Sequence, residues 1–101
     1  MHLIQLLLPL NDNDGHRMSA RHFSKVREEL TAKFGGLTVY SQTPAEGIWE
    51  TGDVRVNDEV VLFELMSEQV DTRWWANYRR ELEERFGQEE IVIRAFGITL
   101  L

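Results

Sequence analysis

Four polar side chains stand inside otherwise apolar runs, and they hold the most concentrated chemistry in this chain: Gln5 within Leu3 to Leu10, Tyr40 within Leu37 to Gln42, Glu64 within Glu59 to Met66, and Arg94 within Ile91 to Phe96. A desolvated carboxylate can act as a base, and a guanidinium or phenol near it can stabilise developing negative charge. An amide adds both a donor and an acceptor. Brought together on an apolar surface, such a set describes a small-molecule pocket. The plainer reading of Glu64 and Arg94 is an ion pair, or solvent-facing charges, at a contact between subunits.

The remaining candidates point to less. His16, His22, Asp12 and Asp14, with His2 nearby, invite a metal reading. The HExxH arrangement is absent, and aligning Asp14-Gly15 with positions five and six of a calcium loop puts Leu10 where an Asp is needed and Arg21 where the bidentate Glu belongs. A solvated loop is expected there, with no metal and no cofactor. The chain has no cysteine, which removes disulfides, thiolate ligands and thiol nucleophiles. Ser19, Ser24, Ser41 and Ser67 have no elbow or triad context, and Gly35-Gly36 is a helix stop, not a phosphate cradle. Eleven Lys and Arg against seventeen Asp and Glu give a formal charge of -6, which repels a phosphate backbone unless a local patch overcomes it. Nucleic acid is not an expected partner. Leu3 to Leu10 is far short of a membrane span and has neither a basic leader nor a small-residue cleavage site, so no membrane partner and a cytoplasmic location are expected.

The elements that must position these groups are legible from the changing period of the apolar residues. Strand-like runs at 2–10, 37–42, 59–66 and 91–96 alternate with helical runs at 19–34 and 72–86. In the first strand Ile4, Leu6, Leu8 and Leu10 form one apolar face, while Leu3, Gln5, Leu7 and Pro9 form a mixed one. Both faces are therefore expected to meet protein. Ser19 is a suitable N-cap, Phe23, Val26, Leu30 and Phe34 make the buried stripe of the first helix, and Gly35 ends it. The second helix repeats the plan with Asp71 or Thr72 as cap, Trp75, Tyr78, Leu82 and Phe86 as stripe and Gly87 as stop. Arg79, Arg80, Glu81, Glu83, Glu84 and Arg85 read as a solvated, salt-bridged face. Trp74 and Trp75 point about 100° apart, so one fills the core and the other stands at its margin.

The order strand, helix, strand, strand, helix, strand predicts an α+β fold of the ferredoxin-like βαββαβ kind: one domain over 1–101, a four-stranded antiparallel sheet and two helices on one face. The second and third strands are expected to form a long hairpin with a break at 44–47, a resumed strand at 48–50, a tip near Gly52 and a bulge or kink at Asn57-Asp58. With Ile4, Leu6, Leu8, Leu37, Val39, Val61, Phe63, Leu65, Ile91, Ile93 and Ala95 toward the helices, the open face carries Leu3, Leu7, Leu62, Val92 and Phe96 around the four polar residues. An apolar patch of that kind on a small protein marks an interaction surface. A homodimer is therefore expected, with Leu3, Leu7, Trp49, Leu62, Trp74 and Phe96 as interface residues and Gln5, Tyr40, Glu64 and Arg94 as ligand-binding residues.

Gly36-Leu37-Thr38-Val39, then Gly47-Ile48-Trp49 and Phe86-Gly87-Gln88-Glu89, resemble the motifs of a family of small uncharacterised bacterial proteins, in which Gly-Leu-Thr-Val is followed by Gly-x-Trp and, before the last strand, by Phe-x-Gln. That resemblance implies the split βαβ fold and no particular activity. The order of elements is also similar to the dimeric α/β-barrel superfamily of small monooxygenases, muconolactone-isomerase-like enzymes and stress-responsive proteins. Two functions stay open: a homodimeric binding or interaction module with a small-molecule site on the open face, or a cofactor-independent enzyme of the monooxygenase- or isomerase-like type.

Overall fold

In the computed structural model, which describes residues 1–51 and 54–101 and the side chains outside 41–59, six elements follow in the expected order. They are β1 (His2–Pro9), α1 (Ala20–Phe34), β2 (Thr38–Thr51), β3 (Val54–Ser67), α2 (Thr72–Arg85) and β4 (Val92–Gly97). The strands make one antiparallel sheet in the order β2-β3-β1-β4, the ferredoxin-like α+β arrangement. Strand β1 is therefore central. Alternation turns Ile4, Leu6 and Leu8 under the helices, where none is more than 1% exposed. Val61, Phe63 and Leu65 of β3 join them, with Leu37, Val39 and Ile93 partly buried at the margins. Ala95, paired with Ile4, lies on the helix side as expected but is exposed at the rim of a cleft against α2.

Local chemistry sets the helix ends as the sequence predicts. The Ser19 hydroxyl accepts from the Arg21 amide at 3.2 Å, and Gly35 takes φ +83° while its N–H donates to the Thr31 carbonyl. Asp71 Oδ1 accepts from the Trp74 amide at 3.1 Å. Val26 and Leu30 of α1 and Trp75, Tyr78 and Leu82 of α2, followed by Phe86, are buried. The Phe-Gly-Gln motif turns out to be a structural joint. Phe86 is fully buried, Gly87 sits at φ +61°, and the Gln88 side chain donates to the Asn11 carbonyl at 2.9 Å, tying the end of α2 to the loop after β1.

The charged face of α2 is solvated at Arg79, Arg80, Glu81 and Glu84 and carries the i,i+4 ion pairs Arg79–Glu83 and Glu81–Arg85, as expected, but Arg85 and Glu83 are drawn inward. Arg85 is only 10% exposed and makes a forked contact with Glu29 of α1, Nη1 to Oε1 at 2.6 Å and Nη2 to Oε2 at 3.2 Å; Tyr78 donates to the same Oε1 at 3.1 Å. Arg85 lies three residues beyond Leu82, so it shares the stripe's side of the helix and meets α1 rather than water. Glu83 is likewise recruited, accepting from the Ile91 amide at 2.9 Å where the chain turns into β4. Burial alone pushes the Glu29 carboxyl up, but hydrogen bonds from Arg85 and Tyr78 outweigh it and hold it below its usual value. Burial, and then Glu29, pushes the Tyr78 phenol far up.

The hairpin has the break expected near Pro44, shifted toward Tyr40, and lacks the kink expected at Asn57-Asp58. Pairing is regular through Asn57 and Asp58, opposite Ile48 and Gly47, and the irregularity lies instead on β2 between Tyr40 and Ala45. Tyr40 pairs with Leu62 and Ala45 with Val60, so residues 41–44 of β2 oppose Val61 alone, in a stretch where Pro44 has no N–H to donate. Strand β1 pairs with β3 only from Val60 to Ser67. The hairpin pairs beyond this, Glu46↔Glu59 to Thr51↔Val54, extend past the sheet by about 20 Å at the usual rise per strand residue. The predicted tip at Gly52 lies outside the described residues.

Two stability results follow. Leu82→Ala or Phe63→Ala should cost about 2–5 kcal/mol in denaturant unfolding, because each side chain is fully enclosed and its loss leaves a cavity. Glu29→Ala should cost about 1–3 kcal/mol by leaving the Tyr78 hydroxyl without its acceptor and Arg85 with Glu81 alone. Since the folded state holds the Glu29 carboxyl below 4.5, its contribution is present above that pH and lost as the pH falls through the folded value. Glu29→Gln should therefore lose less stability than the parent protein on acidification below that point, as followed by urea midpoints against pH.

Candidate functional site

The sheet face away from the helices is built in rows, because antiparallel register sets specific residues side by side. One row reads Thr38, Glu64, Gln5, Arg94 across β2, β3, β1 and β4; the next reads Tyr40, Leu62, Leu7, Val92; a third reads Met66, Leu3, Phe96. The four polar residues singled out by alternation are thus neighbours. Leu3, Leu7, Leu62 and Val92 are half-buried by one another, while Tyr40, Phe96 and Met66 are 46%, 44% and 52% exposed. Large apolar groups at that exposure leave a wide greasy patch open. Met66 and Thr38 also belong to this face; the alternation of Leu62 and Glu64 carried two residues further reaches Met66, and its pairing partners place Thr38.

A chain of hydrogen bonds crosses all four strands. Arg94 Nε donates to Gln5 Oε1 at 2.8 Å, Gln5 Nε2 donates to Glu64 Oε1 at 2.9 Å, and the Tyr40 hydroxyl donates to Glu64 Oε2 at 3.1 Å. The direct Glu64–Arg94 ion pair is therefore not the arrangement found. Strand β1 lies between β3 and β4, so two strand spacings, about 10 Å, separate the backbones that carry the charges, and Gln5 fills the gap. The amide is polarised by this placement: its oxygen meets the cation and its nitrogen meets the anion. Glu64 then accepts from both sides, whereas among the described residues Arg94 spends only Nε. The phenol of Tyr40 is pushed up, first by its hydrogen bond to Glu64 and then by the carboxylate's charge.

The other predicted residues lie elsewhere. Trp74 is on the helix side, its ring stacked on Tyr78 with centroids 4.8 Å apart and the Lys33 ammonium 4.5 Å from its own centroid. Trp75 is the buried member of the pair, as the angular argument requires. The Trp49 side chain lies outside the described residues. Around the first loop, ligand atoms of Asp12, Asp14 and His16 come within 4.8 Å of one another. Loop closure accounts for that proximity: Asp12 Oδ1 accepts from the amides of Asp14 at 2.9 Å and His16 at 2.8 Å. The bond from the His16 amide is the main reason the Asp12 carboxyl is held low. His22 packs on Phe86 and His2 Nδ1 faces the Glu68 carbonyl, so neither joins the cluster.

No protein-family model and no curated protein matches the sequence. Among solved structures the chain is similar to a phage SAM lyase, both in its apo state (16% identity, TM-score 0.62, 94% of this chain and 78% of that one) and in complex with S-methyl-5'-thioadenosine (15% identity, TM-score 0.63, 94% and 79%). This likeness is one of fold. Fold and site together define a ferredoxin-like α+β protein with a polar relay across its uncovered sheet face, and no helix among the described residues is long and apolar enough to cross a membrane.

The relay predicts a titration. Ionising Tyr40 beside Glu64 sets two negative charges together, so Glu64→Gln should let the phenol ionise at lower pH than in the parent protein, read as the alkaline ultraviolet difference band of tyrosinate. An unchanged Tyr40 transition would mean that the contact does not persist in solution.

Proposed function

We propose that this protein is a homodimeric small-molecule-binding module whose ligand lies on the open sheet face, enclosed between the face and a second copy. The observation that carries the reading is the relay itself: an acid and a base held apart by an amide, on a surface otherwise apolar and open. A ligand with a cationic part toward Glu64 and an anionic part toward Arg94 complements it, with its apolar body over Leu7, Leu62 and Tyr40. The structural neighbour supplies the first chemistry to try, since that enzyme is named for SAM and was captured with S-methyl-5'-thioadenosine. SAM bears a sulfonium and a carboxylate; the thioadenosine bears neither.

Calorimetric titration tests this. SAM should bind, with Glu64→Gln and Arg94→Gln each weakening it about tenfold, the usual worth of one charged hydrogen bond, while binding of the thioadenosine changes little. No binding of either compound, or no loss in the two variants, would remove the reading. The dimer has its own test. A charge in the middle of the face, Leu7→Glu or Leu62→Glu, leaves the helix-side core untouched and should turn a sedimenting dimer into a folded monomer. A parent protein that sediments as a monomer at tens of micromolar would sink the dimer.

The second reading, a cofactor-independent enzyme, is supported by the position of Glu64, a carboxylate on an apolar surface beside a phenol and within reach of a guanidinium through Gln5. Elimination would favour it over binding alone: Glu64 takes a proton from Cβ of the amino-acid chain, the Cβ–Cγ double bond forms, and the Cγ–S bond breaks with its electron pair left on sulfur, so that SAM yields S-methyl-5'-thioadenosine and an unsaturated four-carbon amino acid, and Glu64→Gln abolishes both products. The cytoplasm is the proposed location under either reading.

A further inference from the structure

Against a formal charge of -6, Arg17, Arg21, Lys25 and Arg27 fall within the twelve residues 16–27, which contain no Asp or Glu. This cationic stretch borders a cleft of about 290 Å³ on the helix side of the sheet, away from the relay. Met18, Phe23, Val61 and Phe63 form its apolar lining, and Arg17, Ser24 and Arg27 add polar groups to it. Phe23, Ser24 and Arg27 share one face of α1 by their spacing. The rings of Phe23 and Phe63 stand 6.4 Å apart at 50°, and the Arg27 guanidinium lies 6.0 Å from the Phe63 centroid. Arg17 is held in place by the closed loop before it: Met18 N–H donates to the Leu10 carbonyl at 2.8 Å, Asp12 N–H donates to the His16 carbonyl at 2.8 Å, and Arg17 bridges to Asn11. The Asp12–His16 turn thus has a use without a metal.

We infer that this cleft binds a small organic carboxylate with a single ring or short alkyl body. Guanidinium groups match a carboxylate's planar fork, and the partly buried Phe23 ring and Met18 offer an apolar contact to a flat or slender body, beside the enclosed Phe63. The volume lies at the lower end of ligand pockets and excludes a large molecule, while the negative charge of the remaining surface disfavours a polyanion.

The test is a two-dimensional amide NMR titration of the full chain with three probes: sodium phenylacetate, phenylacetamide, which keeps the ring and loses the charge, and sodium acetate, which keeps only the charge. Phenylacetate should give saturable shifts at Met18, Ser24, Arg27 and Val61, at least about tenfold tighter than either control. Arg17→Gln and Arg27→Gln should each weaken it about tenfold with peak dispersion intact, and Arg80→Gln on α2 should not. Equal binding of phenylacetamide, undiminished binding in both cleft variants, shifts confined to the Gln5–Glu64–Arg94 row, or no saturable shift up to about 10 mM would overturn the assignment.

Discussion

The structure depends first on the register of β1 between β3 and β4. Because side chains alternate, that register decides at once which residues form the core and which form the open face: Ile4 opposite Leu65, Leu6 opposite Phe63 and Leu8 opposite Val61 go under the helices, while Gln5 meets Glu64 on one side and Arg94 on the other. A slip of one residue would exchange the two sets, driving Gln5 into the core and Leu6 into water. The cost of burying an unpaired amide and exposing a fully enclosed leucine makes that alternative untenable, so the same constraint that forms the core also assembles the relay.

The helix layer is pinned by a different kind of contact. Apolar stripes bring α1 and α2 down onto the sheet without specifying how far each slides along it. The fork from Arg85 to Glu29, shared with the Tyr78 hydroxyl, is directional and largely sheltered, and it selects one relative placement. Around it, Phe34 stacks on Trp75 with centroids 5.4 Å apart and Trp74 on Tyr78, so the aromatic residues complete the helix layer rather than extend the open face. The molecule thus keeps its specificity-giving polar contacts in two places: one ties helix to helix, the other runs across the sheet.

These two polar systems differ in what surrounds them. Glu29 has its donors supplied from within the chain, and its neighbours are packed. The relay lies on a surface flanked by exposed Tyr40, Met66 and Phe96. A ferredoxin-like sheet supports many activities, so the fold by itself assigns none.

Alternating period, helix caps and glycine stops were enough to determine element order and most of each face of the sheet, because alternation is a local property that neighbouring residues specify together, though Thr38 and Met66 of the open face were passed over. The Phe-Gly-Gln motif was visible as a motif, but its service as a joint to Asn11 was not. Long-range register was beyond a single sequence: no spacing within β1, β3 or β4 says that Gln5 must stand between Glu64 and Arg94, nor that Arg85 would find Glu29 across the helix layer. The irregularity in β2 was half legible: Pro44 marked a break expected at 44–47, but its position at 41–44 and the regular pairing at Asn57 and Asp58 depend on how the two strands match. What the sequence determined was which side each residue takes; the tertiary structure decided which distant partner it meets, because that choice is made by strand pairing and helix docking between segments up to 89 residues apart.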